Sequence, residues 1–182
     1  MTPPIYIVSG VPGSGKTTVA HALAARYPGS VVIEGDALRA MVVSGHASPL
    51  DGWSSEHTLQ FGLSWRSAAS MAARYVDAGF VVVIEDVLRE EDLRAHFYRE
   101  LGDRRVRRVL LRPTVETALA RNRSRTNKTF DTEQLAPIIR RLARSMTTDL
   151  DGWIVIDNSR STVEETVDQI VKGFDSGTAP QG

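Results

Sequence analysis

Five short runs rich in apolar and β-branched residues recur along the chain. Runs of this length, with little alternation between apolar and polar positions, are typical of strands that are buried on both faces of a sheet. We predict strands at Ile5–Val8, Val31–Ile33, Phe80–Ile84, Val106–Leu111 and Trp153–Ile156.

Longer segments between these runs have the three- and four-residue apolar spacing of helices. The longest extends from about Glu56 to Asp77, with Gly79 just past its end, and Thr114 stands at an N-cap position before another. The predicted helices cover residues 17–26, 37–43, 56–77, 90–101, 114–125, 132–146 and 163–174. Strands that alternate with helices in this way indicate an α/β fold, in which helices cover both faces of a five-stranded parallel sheet.

Length and composition limit the classes of protein to consider. A chain of 182 residues fits one domain, which we place at 1–175, and residues 176–182 are predicted to be a disordered tail. The chain has no cysteine, and its 22 Lys and Arg balance its 22 Asp and Glu, whereas nucleic-acid-binding proteins usually carry a basic excess. No run approaches the roughly 18 apolar residues of a membrane span, and no signal peptide is recognisable. We therefore expect a cytoplasmic protein without a membrane or nucleic-acid partner.

The first predicted strand leads directly into a glycine-rich stretch, Gly10-Val-Pro-Gly-Ser-Gly15-Lys16-Thr17. This stretch matches G-x-x-x-x-G-K-[ST] at every fixed position and lies between a strand and a helix, as the phosphate-binding P-loop does. Its glycines let the backbone wrap around a phosphate, and the N–H groups at the helix start point at that phosphate. The predicted nucleotide-binding residues are Gly10, Gly13, Ser14, Gly15, Lys16, Thr17 and Thr18.

The polar side chains of the motif predict its ligands. Lys16 is expected to reach the β- and γ-phosphates and to act in catalysis, while the Thr17 hydroxyl binds Mg²⁺. A GTPase should also carry N-K-x-D for guanine, but here Asn127-Lys128 is followed by Thr129 and Phe130. We therefore predict ATP and Mg²⁺ as cofactors.

Asp36 directly follows the second predicted strand. The carboxyl edge of a parallel sheet is where ligands bind, so the Asp36 carboxylate can accept a proton from a substrate hydroxyl or orient it there. The structural alternative is that Asp36 is the N-cap of the next helix, and the two roles can coexist.

Glu85 and Asp86 end the strongest predicted strand. One of them is predicted to hold Mg²⁺ or to contact the substrate, and alternation along a strand directs the two to opposite sides. The sequence does not decide which one faces the site, and a solvated strand end is the alternative for both.

Arg121 and Arg125 lie four residues apart on one face of a predicted helix that leads into a polar stretch. This arrangement is typical of the lid of small kinases, so we predict a short lid over about residues 121–131. One of the two is expected to contact adenine and the other to neutralise the transferring phosphate; we assign Arg121 to the first role and Arg125 to the second, although the sequence does not decide between them. A solvated basic helix face is the alternative.

The segment from Ser44 to Arg66 is rich in aromatic and hydrogen-bonding side chains that suit an acceptor with a ring or a sugar. Phe61 and Trp65, at four-residue spacing, are more typical of core residues, and His46 and His57 of a loop and a helix cap. The residues predicted to contact the substrate are Asp36, Arg39, Trp53, Arg66 and Asp86.

Over about residues 5–170 the sequence resembles the chloramphenicol phosphotransferase group of small P-loop kinases and, more broadly, shikimate, gluconate and adenylylsulfate kinases. The resemblance rests on the P-loop, on Glu34-Gly35-Asp36, on the segment 78–87 and on the arginine-bearing helix after Arg112. It implies a three-layer P-loop NTPase fold and the role of catalytic base for Asp36. The pattern departs between Ala37 and Arg74, so the resemblance does not identify the acceptor.

These features together predict an ATP-dependent kinase that transfers the γ-phosphoryl group to a hydroxyl of a small molecule. The resemblance favours an antibiotic or another secondary metabolite as that molecule. Two alternatives stay open, namely a kinase of a nucleotide sugar or a nucleic-acid end, and a nucleotide-dependent binding or resistance protein with little turnover. The oligomeric state is also open.

Overall fold

The computed structural model of the protein describes residues 2–48, 52–124 and 132–175. Its strands are β1 (Ile5–Ser9), β2 (Ser30–Glu34), β3 (Val81–Glu85), β4 (Val106–Leu111) and β5 (Trp153–Ile156). Its α-helices are α1 (Lys16–Ala24), α2 (Gly35–Ala40), α3 (Ser55–Asp77), α4 (Glu90–His96), α5 (Tyr98–Leu101), α6 (Val115–Arg123), α7 (Ala136–Ser145) and α8 (Val163–Asp175). None of the helices in these ranges is long and apolar enough to cross a membrane.

The five strands form one parallel sheet in the order β2-β3-β1-β4-β5. The registers of the central strands align their carboxyl ends, because Val8 of β1 and Glu34 of β2 both pair with Glu85 of β3. The segments that follow β1, β2 and β3 therefore leave the sheet at the same edge.

Helices cover both faces of the sheet. Along β1 the side chains of Ile5 and Ile7 join the core beneath α3, whereas Tyr6 and Val8 join the core beneath α1 and α8. All five residues of this strand are buried. Each fully buried aliphatic side chain stabilises the fold by about 1.5–3 kcal/mol. The apolar side chains on the two faces of β1 therefore hold a layer of helices against each face of the sheet. The predicted α/β architecture is confirmed.

Two predicted helices are divided in the structure, and the helix predicted over 37–43 lies instead at Gly35–Ala40. The helix predicted over 90–101 is divided at Phe97, whose φ of −116° departs from helical values. Just past the division, the Tyr98 hydroxyl donates a 2.8 Å hydrogen bond to Glu90. The helix predicted over 132–146 begins as a 3₁₀ turn at Thr132–Leu135, and α7 follows with Pro137 in its first turn. Proline has no backbone N–H, so it is tolerated at this position.

The buried carboxylate of Glu90 connects α4 with strands β4 and β5. It accepts hydrogen bonds from Nε1 of Trp153 at 3.0 Å and from Nη1 of Arg108 at 3.2 Å, in addition to the bond from Tyr98. Glu90 is 6% exposed. These partners supply the opposite charge and the hydrogen bonds that a buried carboxylate requires.

We expect Glu90→Ala to lower the free energy of unfolding by about 3–5 kcal/mol, because it leaves the Arg108 guanidinium half-buried without its carboxylate. The matched control is Glu91→Ala in the same helix, where an exposed ion pair with Arg89 is lost at a cost of about 0–1 kcal/mol. Urea denaturation of both variants measures the difference. Equal midpoints for the two variants would contradict the role of Glu90.

Candidate active site

The loop after β1 has the backbone conformation that its glycines permit. Gly13 and Gly15 have φ of 83° and 91°, in the left-handed region that side chains with a Cβ rarely adopt. Gly15 is also the N-cap of α1 and has no side chain to occupy the helix start. The first N–H groups of α1 therefore remain available to an anion at this end of the helix.

The same loop packs closely against β4 and α6. A Cβ at Gly10 would lie 2.5 Å from the carbonyl oxygen of Leu111, and one at Gly13 would lie 2.1 Å from that of Ala118. Nδ2 of Asn158, in the loop after β5, donates a 2.9 Å hydrogen bond to the carbonyl of Ser14. The loop is thus held in a cradle shape by its neighbours.

Three polar side chains meet at the end of the loop. Nζ of Lys16 donates to the carbonyl of Val11 at 3.2 Å, and Oγ1 of Thr17 donates to Oε1 of Glu85 at 3.1 Å. Burial raises the pKa of Glu85, and the positive charge of Lys16 opposes part of this shift. The Thr17 hydroxyl and the Glu85 carboxylate form a pair of oxygen donors, the ligand type that Mg²⁺ prefers.

Asp86 has a different environment from Glu85. Its two oxygens accept four hydrogen bonds, two from the Arg39 guanidinium, one from Nε1 of Trp65 and one from the backbone N–H of Val87. These contacts favour Glu85 over Asp86 as the metal ligand, because each oxygen of Asp86 already accepts two hydrogen bonds. The alternative of a solvated strand end is wrong for both acids, since Glu85 is 4% and Asp86 5% exposed.

Asp36 lies in the first turn of α2, at the edge where β2 ends. Its side chain is 61% exposed and accepts a 2.7 Å hydrogen bond from Nη2 of Arg39. The N-cap alternative is wrong, because Glu34 occupies the N-cap position and Asp36 follows Gly35 inside the helix. The carboxylate is therefore accessible to an acceptor and held on one side by a guanidinium.

An aromatic surface adjoins this carboxylate. The Phe61 ring lies 4.3 Å below the Arg39 guanidinium, and the ring of Trp53, which is 59% exposed, lies 5.1 Å from that of Phe61. Trp65 is a core residue, as the structural alternative predicted. Arg66 lies farther along α3, where a Cβ built on Gly62 would contact both Arg66 and His96.

The two histidines of this region are placed as the sequence predicted. His57 forms a capping box with Ser54 at the start of α3, and its Nε2 donates to the carbonyl of Ser48 at 2.7 Å. His46 lies exposed in the preceding loop. Both therefore have the structural roles expected of them.

Of the predicted lid, the structure describes residues 121–124 and does not describe Arg125 or residues 126–131. Nη2 of Arg121 donates a 2.9 Å hydrogen bond to the carbonyl of Asn158. Asn158 thus joins α6 to the P-loop, a role that sequence analysis missed. Its position two residues after the last strand, at the same edge as Asp36, is the signal that could have found it.

The sequence profile of a family described as AAA domain matches residues 5–145. No curated protein is significantly similar to the chain in sequence.

Solved structures of two kinases and of a resistance protein have the same fold. A sugar kinase from Janibacter sp. HTCC2649 is 21% identical, with 100% of both chains covered and a TM-score of 0.66. A tunicamycin resistance protein from Deinococcus radiodurans is 21% identical, with 98% of this chain and 99% of that chain covered and a TM-score of 0.60. Thymidylate kinase from Candida albicans is 11% identical, with 97% and 93% covered and a TM-score of 0.71. The predicted P-loop kinase fold is confirmed, and the narrower resemblance to chloramphenicol phosphotransferases stays a prediction.

We expect Gly13→Ala to destabilise the protein by several kcal/mol more than Gly79→Ala. Both glycines have left-handed φ angles, of 83° and 94°, so both variants carry a similar backbone strain of about 1–2 kcal/mol. A Cβ at Gly13 also collides with the Ala118 carbonyl, whereas one at Gly79 has nothing within 4 Å. Thermal denaturation measures the loss of stability in each variant, and titration of a fluorescent ATP analogue measures any loss of nucleotide affinity. Equal melting temperatures would show that the loop can move away from α6 at little cost.

Proposed function

The chain belongs to the AAA domain family, and from this premise we propose that it is an ATP-dependent phosphotransferase that acts on a hydroxyl of a small molecule. One observation carries the proposal. Two carboxylates in different environments lie at the edge where the P-loop begins, Glu85 buried beside Thr17 and Asp36 exposed beside Arg39. Such a difference in environment is what separates a metal-binding acid from a group that exchanges protons with substrate.

In this proposal the P-loop holds the phosphates of ATP. The backbone N–H groups at the start of α1 and the ammonium group of Lys16 bind the β- and γ-phosphates. Thr17 and Glu85 hold Mg²⁺, which supplies neutralising positive charge to the phosphate oxygens. Arg121 of α6, whose guanidinium donates to the carbonyl of Asn158, borders the adenine. Arg125, which lies outside the described residues, keeps its predicted role of neutralising the transferring group.

Asp36 prepares the acceptor. Its carboxylate accepts the proton of the substrate hydroxyl while the hydroxyl oxygen forms a bond to the γ-phosphorus and the bond to the ADP oxygen breaks. Little covalent chemistry is asked of the protein, so most of the rate enhancement comes from positioning and from neutralising charge.

The aromatic surface beside Asp36 supports an acceptor with a ring. Trp53 and Phe61 offer π-faces, and the charge of Arg39 is already paired with two carboxylates. A phosphate-bearing acceptor, such as a nucleotide sugar or a nucleic-acid end, would have to compete with those carboxylates for the guanidinium. A hydroxylated antibiotic or secondary metabolite suits the surface better, and one protein of this fold is a tunicamycin resistance protein.

We expect that a panel of hydroxylated antibiotics, sugars, nucleosides and nucleotide sugars contains an acceptor that raises ADP release from MgATP. Asp36→Asn should lower kcat for that acceptor by about 10²–10⁴-fold with little change in ATP affinity, because it removes the base and leaves the P-loop intact. Lys16→Ala should abolish turnover, whereas Lys172→Ala on α8 serves as the matched control. Coupled assay of ADP and mass spectrometry of the acceptor measure the outcome.

Tight ATP binding that no acceptor converts into turnover, together with a binding function that survives Asp36→Asn, would contradict the phosphotransferase. That result would instead support a nucleotide-dependent binding protein. Failure of the wild-type chain to bind ATP would overturn the assignment of the P-loop as well.

Glu85→Gln should raise the Mg²⁺ concentration needed for half-maximal ATP turnover by about 10- to 100-fold, because a neutral amide replaces a charged oxygen ligand. The control is Glu34→Gln, which changes the acid that pairs with Glu85 across the sheet and bonds His21. Turnover is measured against Mg²⁺ at constant ATP. The same Mg²⁺ requirement in both variants would exclude Glu85 as the ligand.

A further inference from the structure

The Arg39 guanidinium joins two carboxylates that lie in different surroundings. Its Nη1 donates to Oδ2 of Asp86 at 2.6 Å, and its Nη2 donates to Oδ1 of Asp86 at 2.9 Å. The same Nη2 also donates to Oδ1 of Asp36 at 2.7 Å. Because one nitrogen serves both acids, the position of the exposed carboxylate depends on how the buried one holds the guanidinium.

Asp86 is itself fixed by rigid elements. Its Oδ2 accepts a 2.9 Å hydrogen bond from Nε1 of Trp65 on α3, and its Oδ1 accepts one of 2.8 Å from the backbone of Val87. The Phe61 ring, one turn before Trp65, lies 4.3 Å from the centre of the guanidinium. The plane of Arg39 is therefore set by α3 on one side and by the end of β3 on the other.

The glycine before Asp36 allows this arrangement. A Cβ at Gly35 would lie 2.2 Å from Oδ2 of Asp86, well inside contact distance. Its backbone φ is not in the left-handed region, so close approach is the reason for glycine here. The Glu34-Gly35-Asp36 sequence thus places the catalytic candidate directly above the buried acid.

The charges keep the network intact. Burial by itself lowers the pKa of Arg39, but the attraction of Asp86 and then of Asp36 outweighs burial and holds the pKa above its usual value. The guanidinium therefore stays charged at every pH at which the protein is folded. Its side chain is 10% exposed, against 61% for Asp36.

We propose that Asp86 is a positioning residue that acts through Arg39 on the carboxylate of Asp36. The inference rests on the proposed function, in which Asp36 receives the proton of the acceptor hydroxyl. Asp86 fixes the guanidinium, and the guanidinium fixes one oxygen of the exposed Asp36 carboxylate. A misplacement of about 1 Å in such a group can cost 10²-fold in rate.

Kinetics of single and double variants test the proposal. We expect Asp86→Asn to lower kcat for the acceptor about 10- to 100-fold, with KM for ATP within about twofold of wild type. Asp36→Asn/Asp86→Asn should be no slower than Asp36→Asn alone, because a positioning residue has nothing left to position. Asp77→Asn, which breaks the exposed pair with Arg104, is the matched control. An unchanged kcat for Asp86→Asn, or multiplying losses in the double variant, would overturn the proposal.

Denaturation tests the network without any acceptor. The shifts in urea midpoint caused by Asp36→Asn and Asp86→Asn should be non-additive in the chain that has Arg39. In the Arg39→Met chain the departure from additivity should shrink, since the connecting group is gone. Additive shifts in the presence of Arg39 would overturn the proposal even if the chain is a kinase. If no acceptor raises ADP release but the urea midpoints of the Asp36 and Asp86 variants are non-additive, the result would count against the proposed function alone.

Discussion

The register of three parallel strands is the constraint on which the site depends. Glu85 at the end of β3 pairs with Val8 on one side and with Glu34 on the other. This alignment brings the P-loop, the start of α2 and the segment after β3 to one edge of the sheet. A shift of one residue in either pairing would direct these side chains to the opposite face, so the buried faces of β1 and β3 also protect the geometry of the site.

Three of the buried acids between the end of β3 and the start of α4 are each stabilised in a different way. Glu85 faces Thr17 and Lys16, Asp86 faces Arg39 and Trp65, and Glu90 faces Arg108 and Trp153. A buried carboxylate needs a partner charge and hydrogen bonds, and the structure supplies them from a different layer in each case. The segment consequently ties the P-loop, the acceptor side and the distant edge of the sheet together.

Stability and chemistry are separated along this segment. Glu90 lies among side chains that hold α4, β4 and β5 together, whereas Glu85 adjoins the cradle for phosphate. Asp86 lies between these two acids in the sequence. It is buried like Glu90, and its partner Arg39 also bonds the exposed Asp36. In the proposed mechanism, Asp86 therefore serves the reaction through Arg39 without touching the reacting atoms.

Sequence analysis predicted the strands, most of the helices and the P-loop, because the apolar period, the turn residues and the fixed spacing of the motif are local properties. It also placed Asp36 at the correct edge, since the carboxyl ends of parallel strands gather there. Only the tertiary structure showed that Asp86 accepts four hydrogen bonds whereas Glu85 adjoins Thr17, and that Asn158 bonds the P-loop. These arrangements depend on contacts such as Trp65 to Asp86 and Asn158 to Ser14, which join residues 21 and 144 positions apart. Such contacts follow from the order of strands and the packing of helices, and no local pattern encodes either one.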